Sequence, residues 1–484
     1  MKIKINKEIL RDKIYACWIG KNIGGTMGTP YEGQQNMQDI TGFSSPAGEP
    51  LPNDDLDLQL VWLAAMEQAG PHRISPAVLS EYWLNFIPPH WNEYGIGKSN
   101  VKAGMLPPIS GEINNEGWKN SNGAWIRSEI WACMAPGFPS IATKYAAMDA
   151  QVDHGISEGT YAEIFTAAMQ SIAFTEKDIR TVIEKALDYI PEDCRVSKSI
   201  KLVLKNYDNK IPWREVREML VHENKDLGWF QAPANVAFSV IGLIYGEGDF
   251  KKSLIYAIDC GDDTDCTGAT CGATLGIIKG INGIPDDWRE YIGDRIITMA
   301  VDRAMWDLPS SCTELTERVM ELIPSVFKAN SVYMEYTEDE DNGSENEFKQ
   351  TPAYNRLRND LKEFICRTPY SFEIRQSSHT TVIAEYEGKP EILPLGEFNV
   401  KLTLKNYQQD PHVFYFEAFL PEGWSAEYRK TAHCTHITAN TSGKCVWEIK
   451  IKAGENVSAR NNIYVVISSQ NHVMPIFVPI TLLG

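Results

Sequence analysis

Apolar residues recur at three- and four-residue spacing up to about residue 330, and at two-residue spacing from about residue 370. That change of period bounds what the chain can fold into, because a helix face repeats near 3.6 residues and a strand face at two. Segments 56–69, 161–173 and 213–221 read as helices, and strand-like alternation is scarce before residue 330. From Tyr370 onward, short alternating runs at 381–386, 398–404, 413–419, 446–451 and 462–467 are separated by turn signals such as Pro421-Glu422-Gly423 and Asn440-Thr441-Ser442-Gly443. The pattern predicts an all-α domain over 1–330 followed by a small all-β, immunoglobulin-like sandwich over 367–484. Between them, 331–366 reads as an acidic linker or insertion around the charge run from Glu338 to Glu347. A chain of 484 residues exceeds the size of one hydrophobic core, which fits two domains.

With 43% hydrophobic residues the chain can bury a large interior. A formal charge of −18 argues against a nucleic-acid or anionic-membrane partner, since both are held by clustered Lys and Arg. The opening Met1-Lys2-Ile3-Lys4-Ile5-Asn6-Lys7 has no apolar core of signal-peptide length, and no apolar run reaches 18 residues, so a cytoplasmic protein without a membrane segment is expected. Ten scattered cysteines without a CxxC pair indicate neither a zinc ribbon nor a disulfide framework. Nothing in the sequence speaks to oligomeric state.

Two glycine ladders, Gly20, Gly24, Gly28 and Gly268, Gly272, Gly276, each place their glycines on one helix face, where another backbone can approach closely. The polar Lys21 and Asn22 argue for packing inside a soluble bundle rather than in a membrane. Carboxylates gather at two helix starts, Asn53-Asp54-Asp55 and Asp262-Asp263-Thr264-Asp265. Capping alone explains the first cluster, as acidic first-turn residues complement the helix dipole. Three aspartates at the mouth of a small-residue, buried helix are costly unless protons, donors or cations neutralise them. Facing clusters of this kind suit one or two Mg²⁺ ions, which prefer oxygen ligands.

The chain resembles the ADP-ribosylglycohydrolase family. Three ordered motifs carry the resemblance: the glycine-spaced opening helix from Cys17 to Glu32, then Asn53-Asp54-Asp55 at the place of the family's Thr-Asp-Asp, then Gly261-Asp262-Asp263-Thr264-Asp265-Cys266, similar to Gly-Gly-Asp-Thr-Asp-Thr. It covers roughly residues 8–300. It implies a magnesium-dependent hydrolase that cleaves a glycosidic bond of an ADP-ribosyl or related ribosyl conjugate, so the partner would be a small-molecule or ADP-ribosylated substrate. Asn53, Asp54, Asp55, Asp263 and Asp265 would be metal ligands, and Glu32, Asp55 or Asp263 would serve the attacking water as general base. Mn²⁺ is the natural substitute for Mg²⁺.

Two departures bear on the metal count. Asn53 replaces a Thr ligand with an amide oxygen, an acceptable hard donor; Cys266 replaces a second Thr with sulfur, a poor Mg²⁺ ligand. One ion is expected. The second is weaker, held through Thr267 or water, or absent, with Asp262 as an added carboxylate nearby. Asn122-Gly123 and His154 match the family's substrate-facing loops less strictly, and read equally as a plain turn and a helix-end histidine. Two other functions compete: hydrolysis of a different nucleoside or sugar conjugate, and a catalytically silent ADP-ribose-binding module.

Overall fold

The computed structural model describes residues 2–302, 307–339, 345–375, 379–438, 442–470 and 472–484. The chain forms two compact units, one of Met1–Lys98 with Asn114–Cys366 and the other of Ser99–Ile113 with Arg367–Gly484.

The first unit is helical, and three of its helices position the site: α1 (Lys7–Gly28), α2 (Asp54–Ala69) and α3 (Thr264–Lys279). The expected segments 56–69, 161–173 and 213–221 lie within helices Asp54–Ala69, Glu158–Ala173 and Trp213–Asn224. Asn6 caps α1 by accepting a hydrogen bond from Ile9 N at 2.9 Å, and Asn53 caps α2 by accepting one from Asp55 N at 2.7 Å. Glycine decides how α1 meets α3, for the two ladders face each other. A Cβ built at Gly20 would lie 2.1 Å from Gly272 O, one at Gly24 2.1 Å from Gly268 O, and one at Gly28 2.3 Å from Thr264 O. Backbone therefore packs on backbone at successive turns, and Thr264 Oγ1 closes the end with a 2.8 Å bond to Gly28 O.

Among its described residues this unit departs from all-α by one pair of strands. Strands β1 (Lys2–Asn6) and β2 (Tyr333–Thr337) pair in parallel, with Ile3 and Ile5 buried. Between 331 and 366, helices Glu345–Lys349 and Pro352–Ile365 follow β2 and cluster with the first unit; residues 340–344 of the acidic run lie outside the described residues. Among the described residues no helix is long and apolar enough to cross a membrane.

Among the described residues of the second unit nine strands follow: β3 (Ser371–Ile374), β4 (Thr380–Tyr386), β5 (Glu397–Asn406), β6 (His412–Phe419), β7 (Ser425–Tyr428), β8 (Thr431–Cys434), β9 (Lys444–Lys452), β10 (Arg460–Ser469) and β11 (Ile476–Leu483). All five expected runs fall inside strands. They form two antiparallel sheets, ordered β3-β4-β5-β9-β7 and β11-β10-β6-β8. One apolar core serves both, with Phe416 of β6 stacked on Trp447 of β9 at a centroid distance of 4.4 Å. Met105, Ile109 and Ile113, from a segment some 250 residues upstream, belong to that same core.

Candidate active site

Glu32 reaches the site because α1 stops at Gly28 and the short turn Thr29–Tyr31 carries the chain onward. Beyond it, Gly33 N donates to Asp262 O at 2.9 Å and Asp262 N to Gln34 O at 2.8 Å, tying this loop to the acidic loop that enters α3. The N-terminus of α2 joins them through Asn53 Nδ2, 3.3 Å from Asp265 Oδ2. Three segments distant in sequence thus meet at a cavity of about 400 Å³, lined in part by Glu32, Asn53, Asp54, Asn122, Asp263 and Asp265.

Oxygens of Glu32, Asp263 and Asp265 lie within 4.8 Å of one another, as do ligand atoms of Asp55, Asp265 and Cys266. Asp263 and Asp265 are 3% and 4% exposed, yet among the described residues Asp263 Oδ1 and Asp265 Oδ1 find no hydrogen-bond donor, nor does the buried Asp55 Oδ2. Buried carboxylate oxygens without donors are rare because desolvation goes uncompensated. An all-oxygen, anionic donor set with open positions fits a hard divalent cation.

Proton affinities report the same crowding. The charge of Asp265, then burial, then Asp54 push Glu32 up to about 8. Burial first, then Asp265, raise Asp54 to about 6 despite the 3.1 Å bond from Tyr94 Oη. Burial drives Asp55 and Asp263 well above the usual carboxylate range. Each raised group binds more protons folded than unfolded, so its contribution to stability is complete below pH 4 and is lost as pH rises through its folded value. Metal-free protein is therefore expected to melt at progressively lower temperature from pH 5 to pH 8, and Mg²⁺ to raise melting more at pH 8 than at pH 5.5, since cation and proton compete for the same oxygens. Thermal scans in EDTA and in Mg²⁺ test this; an Mg²⁺ shift larger at pH 5.5 than at pH 8 would contradict it.

The structure separates the expected site residues by what they hold. Asn53 Oδ1 is engaged as the cap of α2 and its amide group faces Asp265, so the oxygen proposed as a ligand points elsewhere. Asn122 Nδ2 donates to Asp263 Oδ2 at 2.6 Å while Trp125 Nε1 fixes Asn122 Oδ1 at 2.9 Å; Asn122 thus steadies a carboxylate. Gly123 lines the cavity where a Cβ would strike Glu93 Oε1 and the Tyr94 ring. His154 stands apart from the cavity, fully buried, with Nδ1 3.0 Å from Asp153 Oδ1 and Nε2 3.3 Å from Ser121 Oγ. Asp262 turns its carboxylate to Phe230 N and Asn235 Nδ2, and Thr267 donates to Thr264 O at 3.1 Å, so neither adds a donor to the cavity. Cys266 Sγ donates to Asp55 Oδ1 at 3.2 Å.

Sequence reasoning missed Tyr94, Trp91 and Phe230 on the cavity wall, where no local motif marks them. It also passed over Lys21, 1% exposed, whose Nζ lies 3.1 Å from Glu129 Oε2 and 3.8 Å from Asp55 Oδ2. Burial opposes its charge, but Glu129 and Asp55 outweigh that and hold the ammonium above its ordinary value. One charged residue in the otherwise uncharged stretch 14–28 of α1 was the available signal.

Two glycine-packed helices of a helical unit thus bring separate acidic segments to one cavity, which defines the class of proteins whose carboxylates can hold a cation. The family model for ADP-ribosylglycohydrolase matches residues 6–321, and the chain belongs to that family. An uncharacterized protein from Archaeoglobus fulgidus is 24% identical over 329 residues, spanning 63% of this chain and all of its own length. A solved structure described as an ADP-ribosylglycohydrolase-related protein complex covers 66% of this chain and 99% of its own, at 18% identity and a TM-score of 0.41. A FixG-related protein from Vibrio parahaemolyticus covers 22% of this chain and 98% of its own, at 11% identity and a TM-score of 0.19.

Proposed function

We propose that the chain is a magnesium-dependent glycohydrolase acting on the glycosidic bond of an ADP-ribosyl or related ribosyl conjugate. One observation carries the reading: the unbonded, buried oxygens of Asp263 and Asp265 converge on a cavity that Glu32 and Asp54 also line. Glu32, Asp263 and Asp265 would hold the cation, with Asp54 lining the same cavity and Asp55 behind them. Bound Mg²⁺ would supply a Lewis acid that makes a water nucleophilic near neutral pH.

The chain's own groups supply the remainder. Glu32, the exposed member of the cluster, would give up its own proton as the cation binds, face that cation with one carboxylate oxygen and take a proton from the attacking water with the other. Asn122, itself held by Trp125, fixes the direction of Asp263, and Tyr94 fixes that of Asp54. Such outer bonds keep carboxylates oriented between turnovers. Trp91 and Phe230 give the wall apolar surface on which a ribose or planar group can rest.

The experiment is a panel of ADP-ribosylated Arg, Ser and nucleic acid together with O-acetyl-ADP-ribose, run in Mg²⁺, in EDTA, and with Asp263→Ala. Release in Mg²⁺ by the unaltered protein only is the expected result. Equal release by the variant removes Asp263 from the mechanism, and ADP-ribose binding without turnover makes this a binding module instead.

A further inference from the structure

The two trios of potential ligands differ in what stands beside them. Glu32, Asp263 and Asp265 offer carboxylate oxygens alone. In the other trio the third member is the Cys266 thiol, which donates to Asp55 Oδ1 and adds no hard donor. On the opposite side of the same carboxylate sits Lys21 Nζ, 3.8 Å from Asp55 Oδ2.

That ammonium is built in. It donates to Ile126 O at 2.8 Å and pairs with Glu129 Oε2 at 3.1 Å. Glu129 is fixed in turn by Gln59 Nε2 at 3.0 Å and Gln170 Nε2 at 2.7 Å, while Gln59 Oε1 accepts from Ile130 N at 2.7 Å and its Nε2 also donates to Asp55 O at 2.9 Å. Every side chain in this network is at most 1% exposed. Lys21 lies on α1 between Gly20 and Gly24, two of the levels at which that helix touches α3 backbone to backbone, and its buried ammonium is held there by Ile126 O and Glu129. A cation seated at Asp55 and Cys266 would therefore face a fixed positive charge with one oxygen donor too few.

We infer that this chain binds a single divalent cation, at Glu32, Asp263 and Asp265, and that the Lys21 ammonium supplies the positive charge at Asp55 in place of a second. The inference rests on the cation-dependent reading above, yet the two can fail separately. Asp55 becomes a positioning residue: it anchors Lys21 and Cys266 at the rear of the site and leaves ligation to the carboxylates in front.

Metal count decides it, independently of activity. Mn²⁺ titrated into the apo full chain should bind with a stoichiometry of one and give the six-line paramagnetic resonance spectrum of an isolated ion. Cys266→Thr, which restores an oxygen donor but keeps Lys21, should still bind one. Lys21→Met combined with Cys266→Thr should bind two, with the broadened spectrum of an exchange-coupled pair. Two ions in the unaltered chain, or in Cys266→Thr alone, overturn the inference and leave the proposed function standing. A double variant that folds and still binds one removes Lys21 from the explanation, and no Mn²⁺ in the unaltered chain overturns both readings.

Discussion

Asp265→Asn should lower turnover by about 1000-fold or more while the metal-free protein melts no lower than the unaltered one. The two effects have opposite signs for one reason. Asp265 is shared by both groups of convergent ligands and is the largest influence raising Glu32. Removing its charge relieves repulsion among buried carboxylates, which favours the folded apo chain. The same change weakens cation binding, and loss of Lewis-acid assistance is worth several kcal/mol of barrier, or about three powers of ten in rate. Rates on the reactive member of the substrate panel, together with melting in EDTA and in Mg²⁺, give both readings. Turnover within about tenfold of the unaltered enzyme, or a clear drop in apo melting temperature, would show that Asp265 is structural.

Gly272→Ala carries the second large effect. The added Cβ would stand 2.0 Å from Gly20 O, and what must yield is helix backbone rather than a side-chain tip. Overpacking of cores usually costs about 1–3 kcal/mol, and a backbone obstacle places this variant at or above the upper end. The damage extends to the site, because Asp265 lies on α3 and moves whenever that helix is pushed from α1. Gly117→Ala is the control: a Cβ there meets nothing within 4 Å, so its cost should stay within about 0.5 kcal/mol. Denaturant unfolding of the two variants settles the comparison, and equal midpoints would mean that α1 and α3 tolerate separation.

Much of this organisation was legible in the sequence because it is periodic. Glycines four apart, apolar residues three and four apart, and alternation after residue 370 each follow from the geometry of a single element. The helical unit and the sheets could therefore be read in advance, and the pairing of two acidic helix starts followed from the ordered motifs that carry the family resemblance. What escaped depends on a partner brought from elsewhere. β11 contains Pro479, which interrupts a strand-like reading, and β1 is five residues whose partner lies more than 300 positions away. The amides of Asn53 and Asn122 offer an oxygen on paper, but which end faces the cavity is set by Asp55 N and Trp125 Nε1, and no spacing rule encodes that choice. Asp262 resembles a spare ligand until its backbone is seen at φ +68°, with its carboxylate turned to Phe230 and Asn235.

The core beneath the two sheets takes Met105, Ile109 and Ile113 from a stretch of chain that is synthesised long before any of its strands, and Arg460 Nη1 holds that stretch at Lys102 O. The chain thus leaves its first unit after Lys98, contributes to the second, and returns at Asn114. No single cleavage can part the two units into complete halves. A fragment starting at Arg367 would expose the apolar surface that those three side chains cover, and the second unit cannot finish its core on the ribosome until residues separated by some 350 positions have both emerged.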